Sequence, residues 1–286
     1  MDHPTTPGRG PGAVERTSTA RRYLMCRPDH FDVTYEINPW MDVNRATDRQ
    51  RAVDQWEVLY RTYLDWGHTV DLIDPLPGLP DMVYAANGAT VVDGIVYSAR
   101  FRFPERAPEG PAYEQWFAGS GFTTHTAAEV NEGEGDILMV GDVLLGGSGF
   151  RTDPAAHAEL ARVTGREVVT LELVDPRFYH LDTAIAVLDS DPAHPMIAYF
   201  PPAFSPASQE VLAGMFPDAV IATEADAEAL GLNAVSDGRR VVVAPAAVDL
   251  AASLRERGFE PHPVDTTELL KGGGGAKCCT LEIREG

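Results

Sequence analysis

The sequence predicts an α/β fold of five ββαβ-type repeats, a five-bladed α/β propeller whose ring is closed by its N- and C-terminal strands. Three observations carry this. A helix that ends near a glycine or a Pro-Asp pair and runs into a short strand recurs five times. Four hairpins lie between these units. The last strand-like stretch, "AKCCTLEI", has no hairpin partner beside it, and "RRYLMCRP" at the other end of the chain can supply one. Closure of this kind removes exposed sheet edges.

The elements follow in order. Residues 1–20 are rich in Pro, Gly, Thr and Arg and read as a disordered tail, with 21–286 as a single catalytic domain. After "RRYLMCRP", a helix is expected over 45–66, capped by Asn44 and followed by Gly67 and the strand "HTVDLID". A hairpin "ANGATVV-DG-IVYSAR" turns at Asp93-Gly94, a type I′ signal, and leads to a helix over 109–118 and the strand "GFTTHTA". The hairpin "GDILMV-GD-VLLGG" precedes a helix with Asp153 as N-cap and Pro154 in its first turn, then Gly165 and "EVVTLEL". The hairpin "HLDTAIAVLDSDPAHPMIAYF" leads to a helix opened by Ser205-Pro206 and to "PDAVIATE". The last hairpin, "LNAVS-DG-RRVVVAP", turns at Asp237-Gly238 and precedes a helix over 247–257, Gly258 and "FEPHPVD".

The 286 residues suffice to bury a substantial core. Lys and Arg number 23 against 43 Asp and Glu, a formal net charge of −20. So acidic a surface repels nucleic acid and anionic membranes, tolerates a cationic small molecule, and favours solubility. Three cysteines, Cys26 and the adjacent pair Cys278 and Cys279, make no disulfide framework and suit a reducing cytoplasm. No apolar run of ~18 residues occurs, and the N-terminus lacks an apolar targeting segment. Homo-oligomerisation is left open.

The polar residue at the start of each inner strand is Asn87, Glu132, His180, Asn233 or Cys278, at separations of 45, 48, 53 and 45 residues. Equivalent positions of successive blades converge on the axis of a propeller. An amide, a carboxylate, an imidazole, a second amide and a thiol therefore share one central cleft. A lone His or Cys is more often core packing than chemistry. Five such groups at one structural phase are hard to explain as core.

The segments "MCRPDHFDVTYEINPWM", "PGLPDMVYAANGATV", "FRFPERAPE", "EGEGDILMVGD", "GFRTD", "FYHLDTA" and "GGGGAKCCT" resemble the guanidino-group-modifying enzymes of the pentein fold. That family comprises arginine deiminases, dimethylarginine dimethylaminohydrolases, amidinotransferases and arginine dihydrolases. The first two segments look most like the arginine dihydrolase domain. The resemblance covers nearly all of 22–284 and implies the pentein propeller, a cysteine nucleophile, and no cofactor or metal. It places the nucleophile at Cys278, with Cys279 variable and Thr280 the hydroxyl residue. Alternation along a strand likewise lets only one of the two cysteines face the cleft. The resemblance implies His180 as general acid/base, Asp182 as guanidinium-binding carboxylate, and Glu132 or Glu134 as the acidic residue. Of the two, the dihydrolase-like pattern that the resemblance implies, with this spacing to Gly135-Asp136, favours Glu132. It further implies Arg106 and Arg151 on the substrate α-carboxylate and Asn38 and Asn87 as site amides; Asn233 joins them by its phase.

The expected reaction is hydrolysis of arginine or a methylated arginine through a covalent thiouronium. Asn87 stands where the deiminase branch carries aspartate, which points to a dihydrolase that yields ornithine. A dimethylargininase or deiminase stopping at citrulline is the alternative. An amidinotransferase would use the same Cys and His. A non-enzymatic pentein would lack that pair. Zinc catalysis finds no CxxC or HxxxH here.

Overall fold

The computed structural model describes residues 15–285. The described residues form five three-stranded sheets with helices packed between them, the five-bladed α/β propeller. β1 (Arg22–Cys26) is followed by α1 (Arg49–Asp65) and β2 (Thr69–Ile73), parallel to β1. β3 (Ala89–Val92) and β4 (Ile95–Ser98) form a hairpin, and α2 (Glu109–Gly119) returns the chain to β5 (Thr123–His125), parallel to β4. β6 (Ile137–Val140), β7 (Val143–Ser148), α3 (Pro154–Thr164) and β8 (Val168–Glu172) repeat the pattern. In the next blade the short α4 (Leu181–Ala184) precedes β9 (Ile185–Asp189) and β10 (Met196–Tyr199), and α5 (Pro206–Met215) leads to β11 (Val220–Ile221). After α6 (Glu224–Glu228) come β12 (Val235–Ser236), β13 (Arg240–Val243), α7 (Val248–Glu256) and β14 (Glu260–Pro263). β15 (Leu281–Glu282) then pairs antiparallel with β1, Leu281 opposite Leu24, and closes the ring. Among the described residues no helix is long and apolar enough to cross a membrane.

Local chemistry explains the elements. α1 buries Ala52, Trp56, Leu59 and Tyr63, one stripe at helical spacing. Asp153 Oδ1 caps α3 through Ala155 N at 2.9 Å, Pro154 opens it, and Gly165 ends it at φ +69°. Asp93 and Gly94 both take positive φ, as a type I′ turn requires.

Four expectations need correction. α1 starts at Arg49 under an Asp48 cap, because Thr47 bonds Asp32 Oδ1 at 2.6 Å and Asp48 N bonds Glu268 Oε1 at 2.5 Å; these contacts hold the preceding residues out of the helix, and Asn44 is not its cap. The second Asp-Gly hairpin turns one residue later. Asp237 N bonds Arg240 O, so the loop is Gly238-Arg239, and Asp237 Oδ1 receives the amides of both arginines. The strand in "PDAVIATE" is only Val220–Ile221, because Thr223 and Asp226 form a capping box that starts α6. Cys278 and Cys279 lie in a turn ahead of β15, not on a strand, with Cys279 N on Gly275 O and Thr280 N on Lys277 O. Residues 1–14 of the expected tail lie outside the described residues. Its last part is anchored, Arg16 Nη1 to Asp189 Oδ2 at 3.1 Å and Thr19 N to Asp237 O at 2.8 Å.

One buried carboxylate ties the closing strand to the turn that opens β6. Glu134 Oε2 accepts from Lys277 Nζ at 2.8 Å and Glu282 N at 2.9 Å, and Oε1 pairs with Arg284. Burial pushes this carboxyl up, but Arg284 and Lys277 outweigh it and hold it below its ordinary value of 4.5. Its stabilisation is therefore fully present above about pH 4.5 and is lost as pH falls below that. Glu134→Ala, which strands two cations, should cost about 3–5 kcal/mol in urea unfolding at neutral pH, with a smaller penalty in acid. An equal penalty at both pH values would show that the tie is not electrostatic.

Candidate active site

Each of the five phased residues sits in the short turn that leads into an inner strand. Asn87 lies in a 3₁₀ turn before β3, Glu132 opens the turn before β6, and His180 caps α4 before β9. Asn233 precedes β12 by two residues, and Cys278 lies in the turn before β15. The side chains stand around the propeller axis, none more than 2% exposed. They are linked in two groups. His180 Nε2 meets Glu132 Oε2 at 2.7 Å, and Asn87 Nδ2 donates to Glu132 O at 3.3 Å. Cys278 Sγ lies 3.3 Å from Asp182 Oδ2 and 3.0 Å from Asn233 Nδ2. Asp182, two residues after His180, joins the groups.

Burial drives the electrostatics. It pushes Glu132 up, but Arg151, with Nη1 at 2.9 Å from Oε2, and His180 overcome it and hold the carboxyl well below the usual range. Asp182 has weaker help. Burial pushes it up to about 6 against the opposing pull of His180 and Lys277. Cys278 is pushed well up, first by burial and then by the Asp182 charge beside it, both of which favour the thiol over the thiolate.

Three buried atoms here have no hydrogen-bond partner among the described residues: Asp182 Oδ1, His180 Nδ1 and Asp81 Oδ1. Buried polar groups are nearly always paired, so orphaned acceptors mark where a ligand's donors belong. A flat cation with several N–H groups supplies what this site lacks.

The glutamate pair divides cleanly: Glu132 contacts His180, whereas Glu134 serves the ring closure. Arg151 also donates to Ile37 O and lies between the rings of Phe103 and Tyr179, 4.7 Å from each. Arg106 grips both oxygens of Glu109 and donates to Asn87 Oδ1 at 2.9 Å. Asn38 lies over the glycine run, donating to Gly272 O at 3.1 Å.

Close packing explains the four glycines before the cysteines. A Cβ at Gly272 would sit 2.2 Å from Tyr84 Oη, and one at Gly274 2.4 Å from the same ring. At Gly273 it would meet Tyr179 Oη at 2.7 Å, and the backbone there takes φ +92°. At Gly275 it would lie 3.0 Å from Asn233 Oδ1. The thiol of Cys279 faces an apolar cluster that includes Tyr23, Met25 and Tyr63, and burial pushes it up. Among the described residues no group of three or more His, Cys, Asp or Glu could hold a metal ion.

Sequence reasoning missed Asp81, whose Oδ2 accepts from Tyr35 Oη at 2.9 Å. It also missed Gly135, where a Cβ would sit 2.2 Å from Asn87 Nδ2 and 3.2 Å from His180 Nδ1. Both lie inside segments that carry the resemblance, but neither shares the phase of the five.

No family model matches the chain. It is 59% identical over 270 residues to an N(G),N(G)-dimethylarginine dimethylaminohydrolase of Mycobacterium tuberculosis, covering 94% of this chain and 88% of that one. It is 39% identical over 271 residues to the bifunctional arginine dihydrolase/ornithine cyclodeaminase ArgZ of Synechocystis, covering 92% of this chain but only 38% of that relative. The N-terminal domain of ArgZ, a cysteine-to-serine variant bound to its substrate, superposes with a TM-score of 0.88 at 39% identity over 93% of this chain and 98% of that one. A dimethylarginine dimethylaminohydrolase adduct with a chloropyridine superposes at 0.73 with 19% identity, which speaks for the fold alone. The chain belongs to the pentein family of guanidino-group hydrolases that holds the dimethylarginine dimethylaminohydrolases and the arginine dihydrolases.

Proposed function

We propose that the protein hydrolyses the guanidinium C–N bonds of arginine through a covalent thiouronium on Cys278 and carries the reaction on to ornithine. The observation that carries the reading is the Cys278 thiol lying against a carboxylate, Asp182, whose second oxygen is buried without a partner.

A guanidinium carbon is a poor electrophile while its charge is spread over three nitrogens. Asp182 would take two of its N–H groups in one plane. The cation also relieves the field that keeps the thiol neutral. Cys278 then gives its proton to His180 and its sulfur bonds to the carbon. His180, held by Glu132, passes that proton to the departing amine, and a cationic thiouronium remains. Water attacks it next; one water proton goes to His180, the other returns to sulfur as the C–S bond breaks, and a ureido group is released. Arg106 and Arg151 would receive the substrate's carboxylate, and the orphaned Asp81 Oδ1 its ammonium. Because the site is buried, Ile37–Trp40 and the glycine run beneath it must part for entry. The cytoplasm suits three free cysteines.

Asn87 decides how far the reaction runs. Arg106 holds its oxygen, and only one of its two amide hydrogens has a protein partner. The free hydrogen can hold the oxygen of a neutral ureido group, which an aspartate could not. A second attack by Cys278 would expel ammonia, and hydrolysis of the resulting thiocarbamate gives a carbamate that loses carbon dioxide to leave ornithine. A dimethylargininase that stops at citrulline is the second reading, favoured by the name of the 59% identical relative. Incubation with arginine, citrulline and dimethylarginine separately, with every product identified, tests the two.

Cys278→Ser should abolish turnover, whereas Cys279→Ser should keep most of it; equal loss in two folded variants would assign the chemistry to the pair. The Asp182 carboxyl must be ionised to hold a cation, so kcat/KM should fall on the acid side of about pH 6. Asp182→Asn should raise KM more than it lowers kcat, and a flat acid limb in the wild type would remove Asp182 from binding. Asn87→Asp should shift the product from ornithine to citrulline. Should the wild type release citrulline stoichiometrically and never ornithine, the second hydrolysis is wrong.

A further inference from the structure

Asn233 was expected to line the substrate, yet every bond of its amide is made within the protein. Oδ1 accepts from Gly275 N and Cys278 N, each at 3.1 Å. Nδ2 donates to Asp182 O at 3.1 Å and to Cys278 Sγ at 3.0 Å. An asparagine amide has two hydrogens and two acceptor sites, so none remains for a ligand. The Asn233 carbonyl also receives Lys277 N at 3.2 Å. One residue thus fixes the backbone at the nucleophile and over the three residues before it, and touches its sulfur.

The turn that delivers this amide is a demanding one. Leu230 takes φ +51°, the left-handed region that disfavours a side-chain-bearing residue. At Gly231 a Cβ would sit 2.5 Å from Ala247 Cβ and 2.8 Å from Asp226 O. Asn233 N then closes the turn on Leu230 O at 3.1 Å.

The sulfur stands between two opposed groups. Asp182 Oδ2 at 3.3 Å disfavours a thiolate, and the Asn233 N–H favours one. A guanidinium neutralises the first only while it is bound, whereas the amide donor is always present. We propose that Asn233 is a catalytic residue that does not bind substrate: its Nδ2–H stabilises the Cys278 thiolate while the proton moves to His180 and the S–C bond forms, and its Oδ1 holds the sulfur's backbone in line for attack. The inference rests on Cys278 being the nucleophile.

Alkylation of Cys278 by chloroacetamidine, a small amidinium electrophile, is followed peptide by peptide by mass spectrometry across pH in the full chain. Asn233→Asp keeps an acceptor for the two backbone amides and replaces the donor with an anion. The inflection should move to higher pH, and the rate at neutral pH should fall about tenfold or more. Turnover of arginine should fall through kcat, with KM within about twofold of wild type. Should Asn233→Asp fail to fold, judged by circular dichroism, Asn233→Ser takes its place, with the same shift expected. A folded variant with the wild-type pH profile and rate overturns the inference, as does a wild-type Cys278 that does not alkylate at any pH. Alkylation does not require turnover, so an active Cys278→Ser enzyme would instead overturn the proposed reaction.

Discussion

A carboxylate removed from water must find a counter-charge or a set of donors, and the centre of this ring is organised by that requirement. Glu132 finds Arg151 and His180, and Glu134 finds Lys277, Arg284 and a strand amide. Asp136 is satisfied by the amides of Leu181 and Thr152. These residues tie segments from different blades together around the axis. Asp182 and Asp81 each keep an oxygen without a partner. The contrast sets the two kinds apart: matched carboxylates hold the propeller together, and unmatched ones keep acceptor capacity that the described residues leave unused.

The turn that carries Cys278 depends on the same economy of space. The chain approaches Cys278 past Tyr84, Tyr179 and Asn233, at distances that leave little or no room for a side chain at Gly272, Gly273, Gly274 or Gly275. That proximity lets Tyr179 Oη bond Gly273 O at 2.8 Å and Asn233 bond the cysteine itself. The glycines thus exchange local conformational freedom for position, and tertiary contacts restore the order that glycine gives up.

Much of this was legible in the sequence, for physical reasons. Strand and helix stretches follow from hydrophobic period and turn chemistry, as at Asp153-Pro154 and Asp93-Gly94. The blade count follows from repetition, and the convergence of Asn87, Glu132, His180, Asn233 and Cys278 follows from the count. The failures came where a distant contact overrode a local signal. Glu268 draws Asp48 to the start of α1 across 220 residues of sequence. The turn holding Cys278 depends on Asn233, and no local pattern reveals that. The division between Glu132 and Glu134 depends on which cations lie nearby, also a tertiary fact. Spacing places a residue near an axis; only geometry says which of its atoms are already engaged.

The pairing of β1 with β15 has a consequence for how the molecule comes into being. β1 must wait for β15, and four complete blades lie between the two strands in the sequence. Contacts that span so much sequence form late and slowly. Cys278 lies in the turn just ahead of β15, so it joins the buried group of Glu132, His180, Asp182 and Arg151 only through the segment that closes the ring. Until β1 and β15 pair, that charge cluster lacks its thiol.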